Sequence, residues 1–105
     1  MPTTYYNKLI RDKIPKIIEK SGKRPITEML DDKAYKKHLD IKLGEELQEY
    51  LDDDDINELA DLVEVVYAIL KHKGIELDDF EQIRKKKVDE RGAFDKRLLL
   101  KEVRD

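Results

Sequence analysis

The chain has 105 residues, enough for one domain with a modest core, and it lacks cysteine, which excludes disulfides, thiolate metal sites and a cysteine nucleophile. Its 39% hydrophobic and 45% charged residues, with a net charge of −3, suit a folded helical protein. No apolar run approaches the roughly 20 residues that span a bilayer, and the start lacks the apolar region of a secretory signal. We therefore expect a soluble, cytoplasmic protein without membrane contact.

Charge is distributed unevenly along the chain. Residues 1–24 carry 7 Lys/Arg against 2 Asp/Glu, residues 40–64 carry 1 against 11, and residues 81–105 carry 9 against 6. If the basic ends fold over the acidic middle, cation-binding and phosphate-binding groups meet in one site. The alternative is that these runs are solvated faces of helices.

The first half of the chain predicts two helices. One covers 12–20, with Asp12 as a fair N-cap and Pro15 tolerated in the first turn. The second begins near residue 31 or 32 and runs to about 51, on apolar residues at three- and four-residue steps: Tyr35, Leu39, Leu43, Leu47 and Leu51 or Tyr50. The acidic run 52–55 breaks this pattern and can cap the helix that follows.

The second half predicts two further helices and a tail. The third helix, about 56–73, is the most apolar segment and should be central and buried. Within it, Tyr67 is predicted to lie in the core with a bonded hydroxyl, base stacking being the alternative. After Gly74, a fourth helix runs from residue 78 or 79 to about 90. The tail 93–105 is either extended or a last helical turn.

These elements predict a single all-α domain over residues 1–105, a bundle of about four helices. The third helix has apolar residues on more sides than a four-helix monomer of this length covers readily. We therefore expect a homodimer or a higher homo-oligomer to complete the bundle.

Two pairs of carboxylates stand at helical spacing. Glu46 and Glu49 are three residues apart on the second helix, as are Glu58 and Asp61 on the third, so each pair projects from one helix face. Four carboxylates converging from antiparallel helices suit a hard cation such as Mg²⁺. Asp61 is the physical clue, because an unpaired charge in the most apolar helix is costly. The alternative is a surface face paired with lysines.

The residues around these acids resemble a known signature. Gly44-Glu45-Glu46-Leu47-Gln48-Glu49, followed by Glu58-Leu59-Ala60-Asp61-Leu62, is similar to the E-E-x-x-E and E-x-x-D motifs of MazG-like nucleoside-triphosphate pyrophosphohydrolases. The opening 6–15 (YNKLIRDKIP) and the later stretches 84–87 and 91–94 resemble the compact, single-domain, phosphoribosyl-ATP pyrophosphohydrolase-like branch of that superfamily. The resemblance covers nearly the whole chain.

The resemblance implies an enzyme that splits a nucleoside triphosphate into monophosphate and pyrophosphate with Mg²⁺, for which Mn²⁺ can substitute. The metal ligands it implies are Glu46, Glu49, Glu58 and Asp61, while Glu45 matches the first acid of the motif and acts beside the ligands or as a base on water. Water then attacks phosphorus with metal assistance, without a serine or cysteine nucleophile. Only eight residues separate Glu49 from Glu58, fewer than in many relatives, which leaves the relative height of the two pairs open.

Basic residues near both ends are candidates for binding substrate phosphates. Lys87 and Arg91 lie four apart on the fourth helix, so they offer two cations on one face. The N-terminal candidates are Lys8, Arg11 and Lys13. A solvated surface cation is the alternative for each of the five, and His38 and His72 are interpreted as ordinary surface or boundary residues.

Three functions remain open at this stage. The first is house-cleaning hydrolysis of non-canonical or surplus nucleotides, and the second is phosphoribosyl-ATP hydrolysis in histidine biosynthesis. The third is a non-catalytic helical interaction module whose acids merely solubilise it. Nucleic-acid binding is not expected, because the acidic middle offsets the basic ends and no binding motif is present.

Overall fold

A computed structural model describes residues 2–105, in which every regular element is a helix. The helices are α1 (Ile14–Lys20), α2 (Asp32–Asp53), α3 (Ile56–His72) and α4 (Leu77–Arg91). The prediction of an all-α chain with four helices is confirmed. Among the described residues, no helix combines the length and apolar character needed to cross a membrane.

α1 is short and begins later than the sequence pattern indicates. Lys13 is its N-cap, without a side-chain cap hydrogen bond, and Pro15 lies in the first turn as predicted. Residues 12–13 form a turn instead of the start of the helix. The Ser21 hydroxyl donates to the Ile18 carbonyl at 2.6 Å where α1 ends. α1 makes no close approach to α2, α3 or α4.

α2 and α3 form a helical hairpin with a very short connection. The Asp31 carboxylate caps α2 by accepting from the Ala34 amide at 2.8 Å. Asp54 follows in the left-handed conformation, with φ 50° and ψ 42°. The Asp55 carboxylate then caps α3 by accepting from the Asn57 amide at 2.9 Å. The acidic run therefore caps the next helix as predicted, although α2 itself continues two residues further, to Asp53.

The hairpin is antiparallel, and its core is small. The Tyr35 ring near the start of α2 packs edge-on against the ring of His72 at the end of α3, with centroids 5.3 Å apart. Leu39 is 1% exposed, and Val65 and Leu70 are the other buried apolar residues among those described. So little burial stabilises a chain of this length only modestly.

The buried face of α2 differs from the predicted stripe. It continues from Leu39 to Glu46 and Tyr50, whereas Leu47 and Leu51 are 46% and 63% exposed. A step of four residues advances about 40° around a helix of 3.6 residues per turn, so a stripe extended by repeated steps of four drifts off the face. Leu47 and the Leu51 alternative of the predicted stripe are therefore wrong, whereas its Tyr50 alternative is half-buried on this face.

α3 is the central helix, since it alone packs against two others, α2 and α4. Its burial is partial, because Tyr67 is 44% exposed and Val63 is 42% exposed. The prediction of a core Tyr67 is wrong within this chain. Beyond α4 the tail forms a turn in which the Arg97 amide donates to the Phe94 carbonyl at 3.1 Å, and otherwise it is extended.

The described residues form an open, elongated shape. The radius of gyration is 18.7 Å and the extents are 66 × 32 × 24 Å. A compact domain of this length has a radius of gyration of about 13 Å. Many large apolar side chains consequently remain exposed on α2, α3 and the tail.

Candidate metal centre

Three carboxylates from the α2–α3 hairpin meet near its turn. Glu46 comes from α2, and Glu58 and Asp61 come from α3. One oxygen from each lies within 4.8 Å of those from the other two. The two-residue turn at Asp54 and Asp55 therefore brings the acids of the two helices to the same height, which the sequence spacing left open.

Two of these acids occupy positions that the helical pattern assigns to apolar residues. Glu46 continues the α2 face that begins with Leu39. Glu58 lies one turn before Leu62 and two turns before Val65, on the face of α3 that packs against α2. The same periodicity that builds the hairpin core thus directs both carboxylates into the contact between the helices.

Glu46 and Glu58 each have one buried carboxylate oxygen without a hydrogen-bond partner. Glu46 is only 7% exposed, and its Oε2 has no partner among the described residues. Glu58 Oε2 is likewise buried without a partner. Burying an unpaired carboxylate oxygen is unfavourable unless a cation or a donor satisfies it. A metal ion at the point where these oxygens converge would satisfy both.

Burial and mutual repulsion raise the pKa of both glutamates. For Glu46, burial raises the pKa most, a hydrogen bond and the charge of Lys42 lower it, and the neighbouring Glu49 raises it further. For Glu58, burial also contributes most to the raised pKa, followed by the hydrogen bond and the charge of Glu49 and then by the charges of Asp53 and Asp61. The cluster therefore resists holding all its negative charges at once.

Glu49 and Glu45 lie at the edges of this cluster. Glu49 is exposed, yet close enough to raise the pKa of both Glu46 and Glu58. Glu45 is outside the converging trio and faces Lys42, whose Nζ is 3.5 Å from Glu45 Oε2 and 3.3 Å from Glu46 Oε1. The sequence interpretation missed Lys42, which its three- and four-residue spacing to the two glutamates could have indicated.

Asp61 differs from the expectation of an unpaired charge in an apolar helix. Arg11 Nη2 donates to Asp61 Oδ1 at 2.7 Å, and the Asp61 side chain is 40% exposed. Glu46, and not Asp61, is the carboxylate that burial desolvates. Asp61 remains in the cluster by position, although it is neither unpaired nor buried.

The predicted phosphate-binding cations are divided between two places. Arg11 lies at the cluster, whereas Lys8 and Lys13 are exposed and form no ion pair among residues 2–105. Lys87 and Arg91 are exposed on α4, which packs against α3 and not against α2. The described chain thus brings one of the five predicted cations to the carboxylates.

The donor set matches a hard divalent cation. The converging atoms are all carboxylate oxygens, and Mg²⁺ and Mn²⁺ prefer such ligands over the nitrogen and sulfur ligands of softer metals. Glu46 and Glu58 enter from facing helices, so an ion between them also ties α2 to α3. The partly exposed Asp61 and Glu49 leave one side of the cluster open to solvent.

Comparison with known proteins adds no further constraint. No protein-family model matches the chain, and neither a curated protein nor a solved structure matches it.

Proposed function

We propose that this protein is a magnesium-dependent pyrophosphohydrolase that converts a nucleoside triphosphate into the monophosphate and pyrophosphate. The observation that carries the proposal is the buried, unpartnered Oε2 of Glu46, facing two further carboxylates across the hairpin. A surface acid that only solubilises a helix has no reason to occupy a core position. The resemblance of the surrounding motifs to the MazG-like superfamily supports the same conclusion.

In this proposal Glu46, Glu58 and Asp61 hold the metal, and Glu49 completes the ligand set from the exposed edge. Bound Mg²⁺ supplies charge neutralisation for the triphosphate and lowers the pKa of water in the site. In the proposal Glu45, which lies next to the ligands and is paired with Lys42, orients the attacking water or acts as the base that deprotonates it.

In this proposal, basic residues bind the phosphates of the substrate. Arg11 at the open side of the cluster presents a guanidinium, which suits bidentate contact with phosphate oxygens. Lys87 and Arg91 lie on α4, which packs against α3 and not against α2, and a second copy of the chain that contributes α4 would bring them to such a substrate.

The same geometry supports a homodimer. The radius of gyration of 18.7 Å far exceeds the about 13 Å of a compact domain of this length. Leu47 and Leu51 on α2, with Val63 and Tyr67 on α3, leave apolar surface that a second hairpin covers by helix packing. We propose that two chains close a shared bundle around their carboxylate clusters.

A panel of nucleoside triphosphates with Mg²⁺, assayed for pyrophosphate release, tests the proposed activity and identifies the preferred base. Phosphoribosyl-ATP belongs in the panel, because its preferential hydrolysis assigns the chain to histidine biosynthesis instead of house-cleaning. Orthophosphate as the first product contradicts the proposal. Absence of turnover together with absence of any Mg²⁺ effect on thermal stability favours a non-catalytic helical module.

Variants locate the activity. Asp61→Ala and Glu49→Ala should abolish turnover, because each removes a proposed ligand. Asp40→Ala is the matched control, since Asp40 is an exposed acid of α2 that pairs with Lys36 at 2.5 Å, outside the cluster. A ligand variant that keeps wild-type turnover removes that carboxylate from the proposed site.

A further inference from the structure

Arg11 makes a contact unlike any other in the described chain. Its bond to Asp61 joins residues 50 apart in sequence, whereas the other side-chain hydrogen bonds in residues 2–105 join residues at most four apart. The acceptor belongs to the carboxylate cluster. The contact thus links the N-terminal segment to the candidate metal centre.

Two positively charged side chains contact the carboxylate cluster, one from a helix and one from an irregular segment. Lys42 rises from the middle of α2 and is 23% exposed, so the hairpin itself holds it against Glu46. Arg11 is 56% exposed and lies in a segment without regular structure, just before α1. Arg11 can therefore leave Asp61 without disturbing the packing of α2 or α3.

A divalent cation at the cluster would weaken the attraction between Arg11 and Asp61. The guanidinium is attracted to Asp61 because the carboxylates carry several negative charges in close proximity. A bound divalent ion neutralises most of that charge and repels the guanidinium at the same distance. The ion and Arg11 consequently compete for the negative charge of Asp61.

We propose that Arg11 is an exchangeable counter-cation: it neutralises Asp61 in the metal-free protein, leaves when a divalent ion binds, and then pairs with the phosphate oxygens of the substrate. This inference rests on the proposed metal site. The released guanidinium already lies at the open side of the cluster, where a metal-bound triphosphate presents its oxygens. Metal binding thereby frees the group that recognises the second ligand, so metal and nucleotide promote each other's binding.

Binding of Mn²⁺ alone tests the exchange, measured by the electron paramagnetic resonance signal of the free ion. Arg11→Gln should bind Mn²⁺ about two- to fivefold more tightly than wild type, the range for losing an exposed ion pair that opposes binding. Lys16→Gln is the matched control, because it removes the same charge from an exposed position of α1 outside the cluster. Arg11→Lys, which keeps the charge, should bind Mn²⁺ with an affinity between those of wild type and Arg11→Gln.

The second measurement uses α,β-methylene-ATP in saturating Mn²⁺, since the α–β bridge of this analogue resists hydrolysis. Arg11→Gln should bind it at least about fivefold more weakly than wild type, because a charge-assisted contact with phosphate is lost. Opposite changes in the two affinities support the exchange. A merely structural role for Arg11 weakens both, and melting curves of the variants verify that each is folded.

The outcomes separate this inference from the function on which it rests. If wild type binds Mn²⁺ and Arg11→Gln binds it no more tightly than Lys16→Gln, the exchange is wrong while the metal site stands. Weaker Mn²⁺ binding by Arg11→Gln also overturns the exchange. If wild type binds no Mn²⁺, the proposed metal site fails, and the exchange fails with it.

Discussion

The Glu46→Gln variant should be more stable than wild type without Mg²⁺ and less stable than wild type with Mg²⁺. Glu46→Gln removes a charge from a side chain that is 7% exposed and has one unpartnered oxygen. The amide keeps the volume of the side chain and supplies an N–H donor for its acidic neighbours. It also removes the negative partner of Lys42.

The magnitudes favour the variant in the absence of metal. Relief of an unsatisfied, buried charged oxygen contributes about 1–3 kcal/mol to the free energy of unfolding. Loss of the ion pair with Lys42 removes up to about 1 kcal/mol of that gain. A net gain of about 1 kcal/mol raises the melting temperature by about 4–8 °C for a domain of this size.

Mg²⁺ should favour the wild type instead. At a concentration 100 times its dissociation constant, an ion that binds only the folded state adds about 2.7 kcal/mol to the free energy of unfolding. The variant lacks a ligand and gains little, so wild type becomes the more stable protein by about 1–2 kcal/mol.

Melting curves followed by circular dichroism, with and without Mg²⁺, measure both differences. Asp40→Asn is the control, because it removes an exposed charge of the same helix outside the cluster. It should leave the Mg²⁺ response unchanged. A Glu46→Gln protein that is less stable than wild type without metal, and that responds to Mg²⁺ equally, refutes the reasoning about the buried carboxylate.

Three further predictions concern pH, assembly and the hairpin turn. The raised pKa of Glu58 means that the folded state holds this proton more tightly than the unfolded chain, so metal-free wild type should lose stability relative to Glu58→Gln as pH rises from the ordinary value of 4.5. Urea unfolding of both proteins at several pH values above 4.5 measures the difference in their stability. A difference that stays constant with pH contradicts the prediction. Val63→Lys should convert a wild-type oligomer into a 12.5 kDa monomer by light scattering, whereas Gln82→Lys on α4 should not; a wild type already monomeric at micromolar concentration counts against the dimer. Asp54→Gly should stabilise the fold by about 0.5 kcal/mol, because glycine adopts the left-handed conformation without strain; a lower urea midpoint disproves this account of the turn.

The apolar positions of the two helices hold Glu46 and Glu58 and not Asp61. The sequence interpretation singled out Asp61 because Ala60 and Leu62 flank it, but flanking residues in a helix point about 100° away on either side. Residues three and four apart share a helix face. At that spacing, Glu46 and Glu58 lie on the same faces as the buried apolar residues of α2 and α3. The signal for the buried acids was therefore present in the sequence at a different spacing.

The four helices, the caps of α2 and α3 and the two pairs of acids follow from the sequence alone, because helical periodicity, the capping aspartates and the glycine stops are local properties. Tertiary structure decided which acids converge and that Arg11 rather than Lys8 or Lys13 reaches the cluster. These features depend on the relative rotation and height of α2 and α3 and on the path of an irregular segment. Contacts between distant residues determine such quantities, and no local pattern encodes them.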